Sequence, residues 1–320
     1  MIAGLPTASN CGWATGVGVE AESAGDEAGA VDPEVMGAEA GSGRQAMVKR
    51  RRPVQRSTWA GLGTRSSPRL TDTLGFLLGH TSSISGVVTV TNLPSRPAPV
   101  LARTVTSLSA LSGGRVVLGI GAGALWEEIV RLGVSRLEGG AAVRAMEEAI
   151  LLVKALSGGG DRVTFAGDFY QVSGIDPAPV ATPPVWTGAV GPKSLAVTGK
   201  LADGWVPGGA ADWLSARYRQ SRPVIDEAAA GAGRDPVAIR TVSNFGGRIT
   251  TAPLFPTRDG DGRWIGGSVE QWVDELTTAV LEHNASGFIY RNTDDTPADA
   301  AVGRWAQEVV PAVREAISRD

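Results

Sequence analysis

The sequence predicts an α/β fold, a (β/α)8 barrel of the TIM type that carries one hairpin excursion. From about Trp59 onward, short β-type runs alternate with amphipathic helical patterns, which is the order of right-handed βαβ units around a parallel sheet. Several of these runs are almost entirely apolar, as strands covered on both faces should be. Glycine-rich turns follow two of the runs, at the carboxyl ends of strands, where barrels of this type bind their ligands.

Composition excludes several other classes of protein. The 320 residues include 30 Lys and Arg against 33 Asp and Glu, so the net charge of −3 lacks the global electrostatics of a nucleic-acid binder. One cysteine excludes a disulfide scaffold, and two histidines leave little room for a zinc site. Because neither a secretory signal nor a membrane span is recognisable, we expect a soluble cytoplasmic protein with no metal, membrane or nucleic-acid partner.

Residues 1–56 differ from the rest of the chain. They are rich in Gly and Ala, and their large aliphatic residues follow neither a period of 2 nor one of 3.6. We therefore expect 1–56 to be poorly ordered or irregular and 57–320 to form the barrel domain. The basic run at 49–52, beside a proline, is more typical of a solvated linker than of a nucleic-acid contact.

The barrel elements follow in order along the chain. The predicted strands are 87–92, 116–123, 185–190, 204–207, 239–248 and 287–291. Apolar residues on one face predict two helices, with Val143, Met146, Ile150, Val153 and Leu156 in the first and Val269, Trp272, Val273, Leu276 and Val280 in the second. Residues 163–172 predict a hairpin that turns at Gly167 and Asp168, and 251–267 a polar excursion.

The first βα unit is the element that the sequence leaves in doubt. Closure of a barrel requires that every strand pairs with two neighbours. Residues 1–56 offer no good strand, and only a weak segment such as 1–5 could fill the gap. We favour an irregular N-terminal segment, which would leave an open edge in the sheet.

Three glycine clusters lie at predicted strand junctions. Residues 119–123 are similar to a dinucleotide-binding GxGxxG, but their spacing is GxGxG, which suits a tight βα turn equally well. Residues 186–194 predict a strand, a turn and a helix start, whose backbone N–H groups suit a phosphate, with Lys193 as an added charge. Residues 202–205 predict a C-cap glycine before a core tryptophan. An open doubly wound sheet would also present such turns at one place, but the number of βα units favours the barrel.

Longer stretches of the sequence resemble the bacterial luciferase-like monooxygenase superfamily. The matching segments are 96–103, 108–115, 117–128, 184–193, 198–205, 271–275 and 287–289, within a resemblance that spans about 57–318. These motifs are most similar to those of the branch that uses the deazaflavin coenzyme F-420. The branch that uses FMN is the second most similar. The resemblance implies a TIM-type barrel, usually a homodimer, that performs hydride transfer or flavin-dependent oxidation on a small organic substrate.

The resemblance also implies a ring site and a phosphate cradle. A bulge in the third strand, often with a non-prolyl cis peptide, falls at about Val88 and Thr89, with Thr91 beyond it. The end of the fourth strand falls at Ala122 and Gly123, where small residues let the cofactor approach. The residues implied for the phosphate cradle are Val190, Gly191, Lys193 and Ser194.

Departures from the family pattern leave the catalytic residues unknown. The second strand, at 58–63, lacks the usual Asp or His, and Ala124 stands where some sugar-phosphate members have a carboxylate. Glu127 and Glu128 suit a solvated helix start, and the two histidines, His80 and His283, suit structural positions. No general acid or base is predicted.

Three classes of function therefore remain open. The leading one is an F-420-dependent oxidoreductase, and its nearest rival is an FMN-dependent monooxygenase of the same fold. A non-catalytic or crippled cofactor-binding barrel is the alternative of another class, because the N-terminal segment departs from the family. A phosphate-binding barrel of unrelated chemistry is a weaker possibility, since a fold does not fix a function.

Overall fold

The computed structural model describes residues 2–4, 70–124, 126–208 and 212–319. The strands in these ranges are β1 (Ile2–Gly4), β2 (Gly86–Val87), β3 (Thr91–Asn92), β4 (Val116–Gly121), β5 (Val163–Ala166), β6 (Gln171–Ile175), β7 (Val185–Thr187), β8 (Gly204–Trp205), β9 (Arg240–Gly246), β10 (Arg248–Ile249), β11 (Gly266–Gly267) and β12 (Gly287–Arg291). The predicted strand at 287–291 is confirmed to the residue. The run 87–92 is instead two short strands, β2 and β3, and the other predicted strands end earlier than expected.

Helices follow the strands as βα units require. They are α1 (Leu70–Gly79), α2 (Ala98–Ser112), α3 (Trp126–Arg131), α4 (Gly139–Ala155), α5 (Pro192–Leu201), α6 (Ala216–Gly231), α7 (Val269–His283), α8 (Ala298–Arg304) and α9 (Val310–Ser318). The two helices predicted from their apolar faces are confirmed as α4 and α7. None of the helices in these ranges is long and apolar enough to cross a bilayer.

The main sheet has the order β1-β12-β9-β8-β7-β4-β2, with β3 beside β4. All neighbours in it are parallel except β1, which is antiparallel to β12 and places Ile2 opposite Ile289. This order of parallel strands with intervening helices is the predicted TIM-type (β/α)8 fold. The described strands leave the sheet open between β1 and β2.

The N-terminal strand modifies one expectation. Ile2–Gly4 pairs with β12. This is the less favoured of the two expectations, in which the weak segment 1–5 fills the gap left by the first strand. The remainder of 1–56, and the second strand expected at 58–63, lie outside the described residues. The division of the chain at residue 56 stays a prediction.

Apolar side chains fill two layers, one inside the sheet and one between the sheet and its helices. The inner layer joins residues of five strands and the residue that follows β8, namely Trp186, Val206, Val242 and Ile289 with the partly buried Val87 and Val117. The outer layer includes Leu118, Ile120 and Val185 on the strands and Ile150 on α4. Successive residues of a strand face opposite sides, so these two layers establish which residues point into the barrel.

The predicted hairpin is confirmed as β5 and β6, which pair antiparallel through Phe165 and Val172. It turns at Gly167, whose N–H donates to the carbonyl of Tyr170 at 3.0 Å. The Glu148 side chain on α4 accepts the N–H groups of Asp168, Phe169 and Tyr170 at 2.8, 3.0 and 3.1 Å. One carboxylate on a barrel helix therefore holds the whole turn.

The excursion at 251–267 is also confirmed, and an arginine fixes it to the barrel. The Arg258 guanidinium binds Asp212 at 2.8 Å and also pairs with Glu275 on α7. These two partners raise the pKa of Arg258 against the opposing effect of its burial. The same guanidinium lies 5.9 Å from the ring centre of Trp264, a member of the aromatic cluster under the excursion.

Candidate cofactor site

The mouth of the barrel, at the carboxyl ends of the strands, is lined by the residues that follow the inner layer at intervals of two. On β4 these are Gly119 and Gly121, and beyond β7 comes Gly188. Both Gly121 and Gly188 face Val90, because a β-carbon on either glycine would lie 3.1 or 3.0 Å from Val90 Cγ2, respectively. The three glycines therefore make room for residues 88–90, and the Val90 side chain packs over them.

The bulge that interrupts the third strand contains a non-prolyl cis peptide between Thr89 and Val90. The family resemblance implied this feature at about Val88 and Thr89, and the structure has it one residue later. The Val88 carbonyl lies against β4, since a β-carbon on Gly119 would be 1.8 Å from its oxygen. The Val88 side chain is buried in the outer layer, so only its backbone faces the inside, and Val90 is the residue of the bulge that sequence reasoning missed.

Thr91 and Asn92 connect the bulge to the end of β4. Thr91 is half-buried and pairs with Ile120. The Asn92 side chain accepts the N–H of Ala124 at 3.0 Å, which joins the ends of β3 and β4. The predicted small residues lie here, and Ala122 packs toward the outer layer.

Gly123 has a structural requirement of its own. Its φ is +130°, a conformation that residues with a side chain rarely adopt. A β-carbon there would also lie 2.6 Å from the ring of Trp126. The glycine is therefore needed for the turn itself, whatever approaches it from the mouth.

The predicted cradle is a turn followed by the first residues of α5. Gly191 is the N-cap, and its carbonyl accepts the Ser194 hydroxyl at 2.9 Å and the Leu195 N–H at 2.9 Å. The first N–H groups of a helix have no acceptor within the helix, so they are available to an anion. Lys193 and Val190 are exposed at the rim of this turn.

Buried groups behind the cradle fix its position. The Trp205 indole on β8 donates to the carbonyl of Ala189 at 2.9 Å. The buried hydroxyls of Thr187 and Thr198 are 2.6 Å apart and join β7 to α5. The expected C-cap glycine is wrong, because α5 is capped by Ala202 and Gly204 lies within β8, although Trp205 is in the core as predicted.

Two arginines near the mouth were not found by sequence reasoning. Arg217, in the first turn of α6, places Nη1 4.0 Å from the β-carbon position of Gly208, whose other neighbour is Val190. Arg291, at the end of β12, places Nη2 3.5 Å from the β-carbon position of Gly246. No spacing in the sequence indicates that these arginines lie near the mouth, since strand register places Arg291 there and helix position places Arg217 there.

The mouth has few ionisable groups that could transfer protons. None of the residues that point inward from the described strands is Asp, Glu or His. His80 follows α1 and contacts the Phe76 carbonyl at 2.8 Å, and His283 ends α7. The described ranges also hold no group of three or more His, Cys, Asp or Glu suited to a metal. The catalytic acid or base stays unassigned.

A comparison with known protein families gives a match that covers more than half of the chain. The family described as luciferase-like monooxygenase matches residues 57–246. The chain belongs to this family. The match includes the bulge, the end of β4 and the cradle, so all the predicted site residues lie within the luciferase-like region.

Individual relatives of this luciferase-like chain include a protein of Mycobacterium tuberculosis named F420-dependent hydroxymycolic acid dehydrogenase. It is 28% identical over 249 residues, which cover 75% of this chain and 63% of the relative. The chain therefore spans less than two thirds of that relative's length.

Solved structures agree on the fold. An F420-dependent secondary alcohol dehydrogenase in complex with an F420-acetone adduct aligns with a TM-score of 0.64 and 20% identity, over 78% of this chain and 85% of that one. A riboflavin lyase with modified FMN and riboflavin aligns with a TM-score of 0.65 and 14% identity, over 78% and 74%. At these identities the likeness supports the TIM-type barrel alone.

Proposed function

We propose that this protein is an oxidoreductase that uses coenzyme F-420 to transfer hydride to or from a small organic substrate. The observation that carries the proposal is the Val90 side chain, which packs over the inward glycines at 119, 121 and 188. The half-buried Val90 presents an apolar side chain at the mouth, which suits one face of a flat ring. The name of the mycobacterial relative favours F-420 over other cofactors with such a ring.

The residues present fit both ends of such a cofactor. The exposed turn at Gly191 would hold a phosphate, because a β-carbon there would meet only Ser194 Oγ, at 4.0 Å, and the space before α5 is open. Lys193 and Arg217 would add positive charge at the same rim. The backbone at Thr89, with Thr91 beyond it, and the small residues Ala122 and Gly123 would border the ring.

The deazaflavin supplies hydride chemistry when it is bound, and the protein supplies binding and orientation. Val90 rests on Gly121 and Gly188, so its side chain would support one face of the ring and leave the other face to the substrate. Trp186, 5% exposed, fills the barrel below this surface and excludes water from it. Preorganised positioning of this kind lowers the barrier by holding the reacting atoms close together.

An FMN-dependent monooxygenase is the second candidate. It is favoured by the riboflavin lyase structure, whose fold is shared and which holds a modified FMN. The same ring surface and phosphate cradle would serve FMN, so the geometry of the described residues does not separate the two cofactors.

Parallel titrations of the full chain with F-420 and FMN test the proposal. Quenching of cofactor fluorescence gives each dissociation constant, and we expect F-420 to bind at least about tenfold more tightly than FMN. Tighter binding of FMN would favour the monooxygenase. Binding of F-420 without reduction of the coenzyme by a panel of secondary alcohols would favour a barrel that binds but does not catalyse, and binding of neither would refute the proposal.

A further inference from the structure

Arg291 is an exposed charged residue at the end of β12, on the inner side of the strand at the mouth of the barrel. Ile289, two residues earlier on β12, belongs to the inner layer, so Arg291 lies on the same face of the strand. It pairs with Gly246 at the end of β9. Because Gly246 has no side chain, the Arg291 guanidinium lies across it, with Nη2 and Nε 3.5 and 3.7 Å from the β-carbon position.

The positive charge of Arg291 is not neutralised within the described part of the chain. No carboxylate there lies within 4.0 Å of its guanidinium, whereas Arg222 and Arg304 each pair with one carboxylate and Arg258 pairs with two. The nearby Asp294 carboxylate is already engaged, since it accepts hydrogen bonds from Asn292 Nδ2 and the Thr296 N–H, both at 2.9 Å. These hydrogen bonds lower the pKa of Asp294, with a smaller contribution from Arg248.

The mouth therefore has two chemically different sides. The side formed by Val90, Gly121 and Gly188 is apolar. The side formed by the ends of β9 and β12 is polar, because Arg291 is joined there by the inward-facing Asn244, whose amide donates to the Pro207 carbonyl at 3.4 Å. A flat ring suits the first side, and an anion suits the second.

We infer that Arg291 binds an oxyanion of the substrate, a carboxylate or a phosphate, and so selects anionic substrates. The inference rests on the proposed function, since it assumes that a cofactor ring occupies the apolar side. The planar guanidinium presents parallel N–H donors that match the two oxygens of such a group. The substrate would thus be oriented by its anionic end, with its reacting carbon toward the ring.

Binding of small probes by the full chain loaded with F-420 tests this role. Benzoate and inorganic phosphate serve as oxyanions, and benzamide as a neutral analogue of benzoate. We expect the wild type to prefer benzoate over benzamide, and Arg291→Gln to lose about 10- to 100-fold in affinity for both anions while benzamide is unaffected. Arg291→Lys should retain only part of the anion affinity, because it keeps the positive charge but loses the paired N–H donors of the planar guanidinium.

Two further variants sharpen the comparison. Arg240→Gln removes the same charge from an exposed position at the opposite end of β9, and it should leave all affinities unchanged. Gly246→Val places a side chain against Thr293 Cγ2, at 3.1 Å, and against the Arg291 guanidinium, at 3.5 Å, so it should displace the guanidinium and reproduce the loss seen in Arg291→Gln. The F-420 dissociation constant is measured for every variant without a probe.

The outcomes separate the two proposals. Equal anion affinity in wild type and Arg291→Gln, or no preference of the wild type for anions, would overturn the inference. Loss of F-420 affinity in Arg291→Gln would also overturn it, since the arginine would then serve the coenzyme. Failure of the wild type to bind F-420 would refute the proposed function alone, because the anion titrations can be repeated on the unloaded chain.

Discussion

Val90 and Gly188 lie so close together that a β-carbon on Gly188 would be 3.0 Å from Val90 Cγ2. This distance is shorter than ordinary van der Waals contact, so the glycine is what allows the bulge after β2 to rest on the end of β7. The contact connects two strands that do not pair with each other. How far the Val90 side chain extends into the mouth therefore depends on Gly188, which is distant from it in the sequence.

Gly188→Ala should therefore weaken cofactor binding by lifting Val90 toward the ring site. Overpacking of a close contact costs about 1–3 kcal/mol, which corresponds to about a 5- to 150-fold increase in the F-420 dissociation constant when the cost falls on the bound state. The double variant Val90→Ala with Gly188→Ala should recover affinity, because the smaller residue leaves room for the added methyl group. Fluorescence titration measures the effect, and a double variant no better than the single one would contradict this explanation.

Gly191→Val should weaken binding of the cofactor while leaving the fold intact. The Gly191 φ of −86° is accessible to any residue, and the β-carbon position is open, so the substitution does not strain the turn. The side chain would instead fill the space in front of the first N–H groups of α5. We expect at least about a tenfold rise in the dissociation constant and an unchanged melting temperature, and Gly231→Val, exposed at the end of α6, is the matched control.

Sequence periodicity predicted the elements that lie within regular packing, and it missed those that depend on contacts between strands. Helices α4 and α7 were correct because their apolar residues repeat at the helical period, and strand β12 was correct because it is a short, continuous apolar run of the kind that is covered on both faces. The run 87–92 has the apolar, β-branched composition of one strand. The cis peptide at Thr89–Val90 leaves no signal in that composition. The resemblance located the bulge only to within one residue.

The site was predicted only where it is local in the sequence. The cradle before α5 follows from consecutive residues, Gly191 to Ser194, and the glycines at 119–123 form one short segment. Arg291 enters the mouth through the register of β12 with β9, which no local pattern contains. Arg217 approaches Gly208 for a similar reason, since helix packing decides where it lies.

Trp272→Ala should destabilise the barrel strongly. Trp272 is fully buried on α7 and contacts Phe245, Trp264, Tyr290 and Trp305 edge-on at centroid distances of 5.1 to 5.8 Å. Truncation leaves a large cavity, so we expect a loss of about 3–5 kcal/mol in the free energy of unfolding. Chemical denaturation measures this loss, and a value below about 1 kcal/mol would mean that the cluster is not packed as described.

Trp186→Ala should cost a similar amount and should also affect the cofactor. Trp186 fills the inner layer, and its ring lies against Gly204, whose β-carbon position is 2.5 Å from Trp186 Cδ1. The cavity lies below the ring site, so cofactor affinity should fall together with stability. Trp272→Ala is the comparison, because it removes the same side chain outside the sheet. Loss of stability without loss of cofactor affinity would show that the packing of Trp186 does not affect the cofactor site.

Arg115→Lys should loosen the segment between α1 and β2. The guanidinium donates to the carbonyls of Leu78, Thr81 and Ile84 at 2.9, 2.9 and 2.5 Å, and to that of Ser112 at 2.8 Å. An ammonium group cannot reach four carbonyls arranged around a planar fork. We expect a loss of about 2–3 kcal/mol in the free energy of unfolding, with faster hydrogen exchange confined to the amides of 80–86. An equal increase in the hydrogen-exchange rate of amides throughout the chain would contradict a local role for Arg115.

Glu148→Gln should release the hairpin turn and lower the pKa of Tyr170. The carboxylate accepts three consecutive N–H groups at 168–170, and an amide offers one oxygen in place of two and presents N–H donors to the others. We expect a loss of about 1.5–3 kcal/mol in the free energy of unfolding.

The effect on Tyr170 distinguishes the charge of Glu148 from its packing. Burial raises the pKa of Tyr170 first, and the negative charge of Glu148 raises it further, because a nearby carboxylate disfavours the tyrosinate. Removing that charge while keeping the shape of the side chain should lower the pKa, which ultraviolet titration of Tyr170 against a Tyr170→Phe reference measures. Glu147→Gln, one residue earlier on α4, changes the same charge without a bond to the turn and should leave the stability of the hairpin unaltered. An unchanged Tyr170 pKa in Glu148→Gln would show that burial alone sets it, and that the three hydrogen bonds hold the turn without an electrostatic effect on the ring.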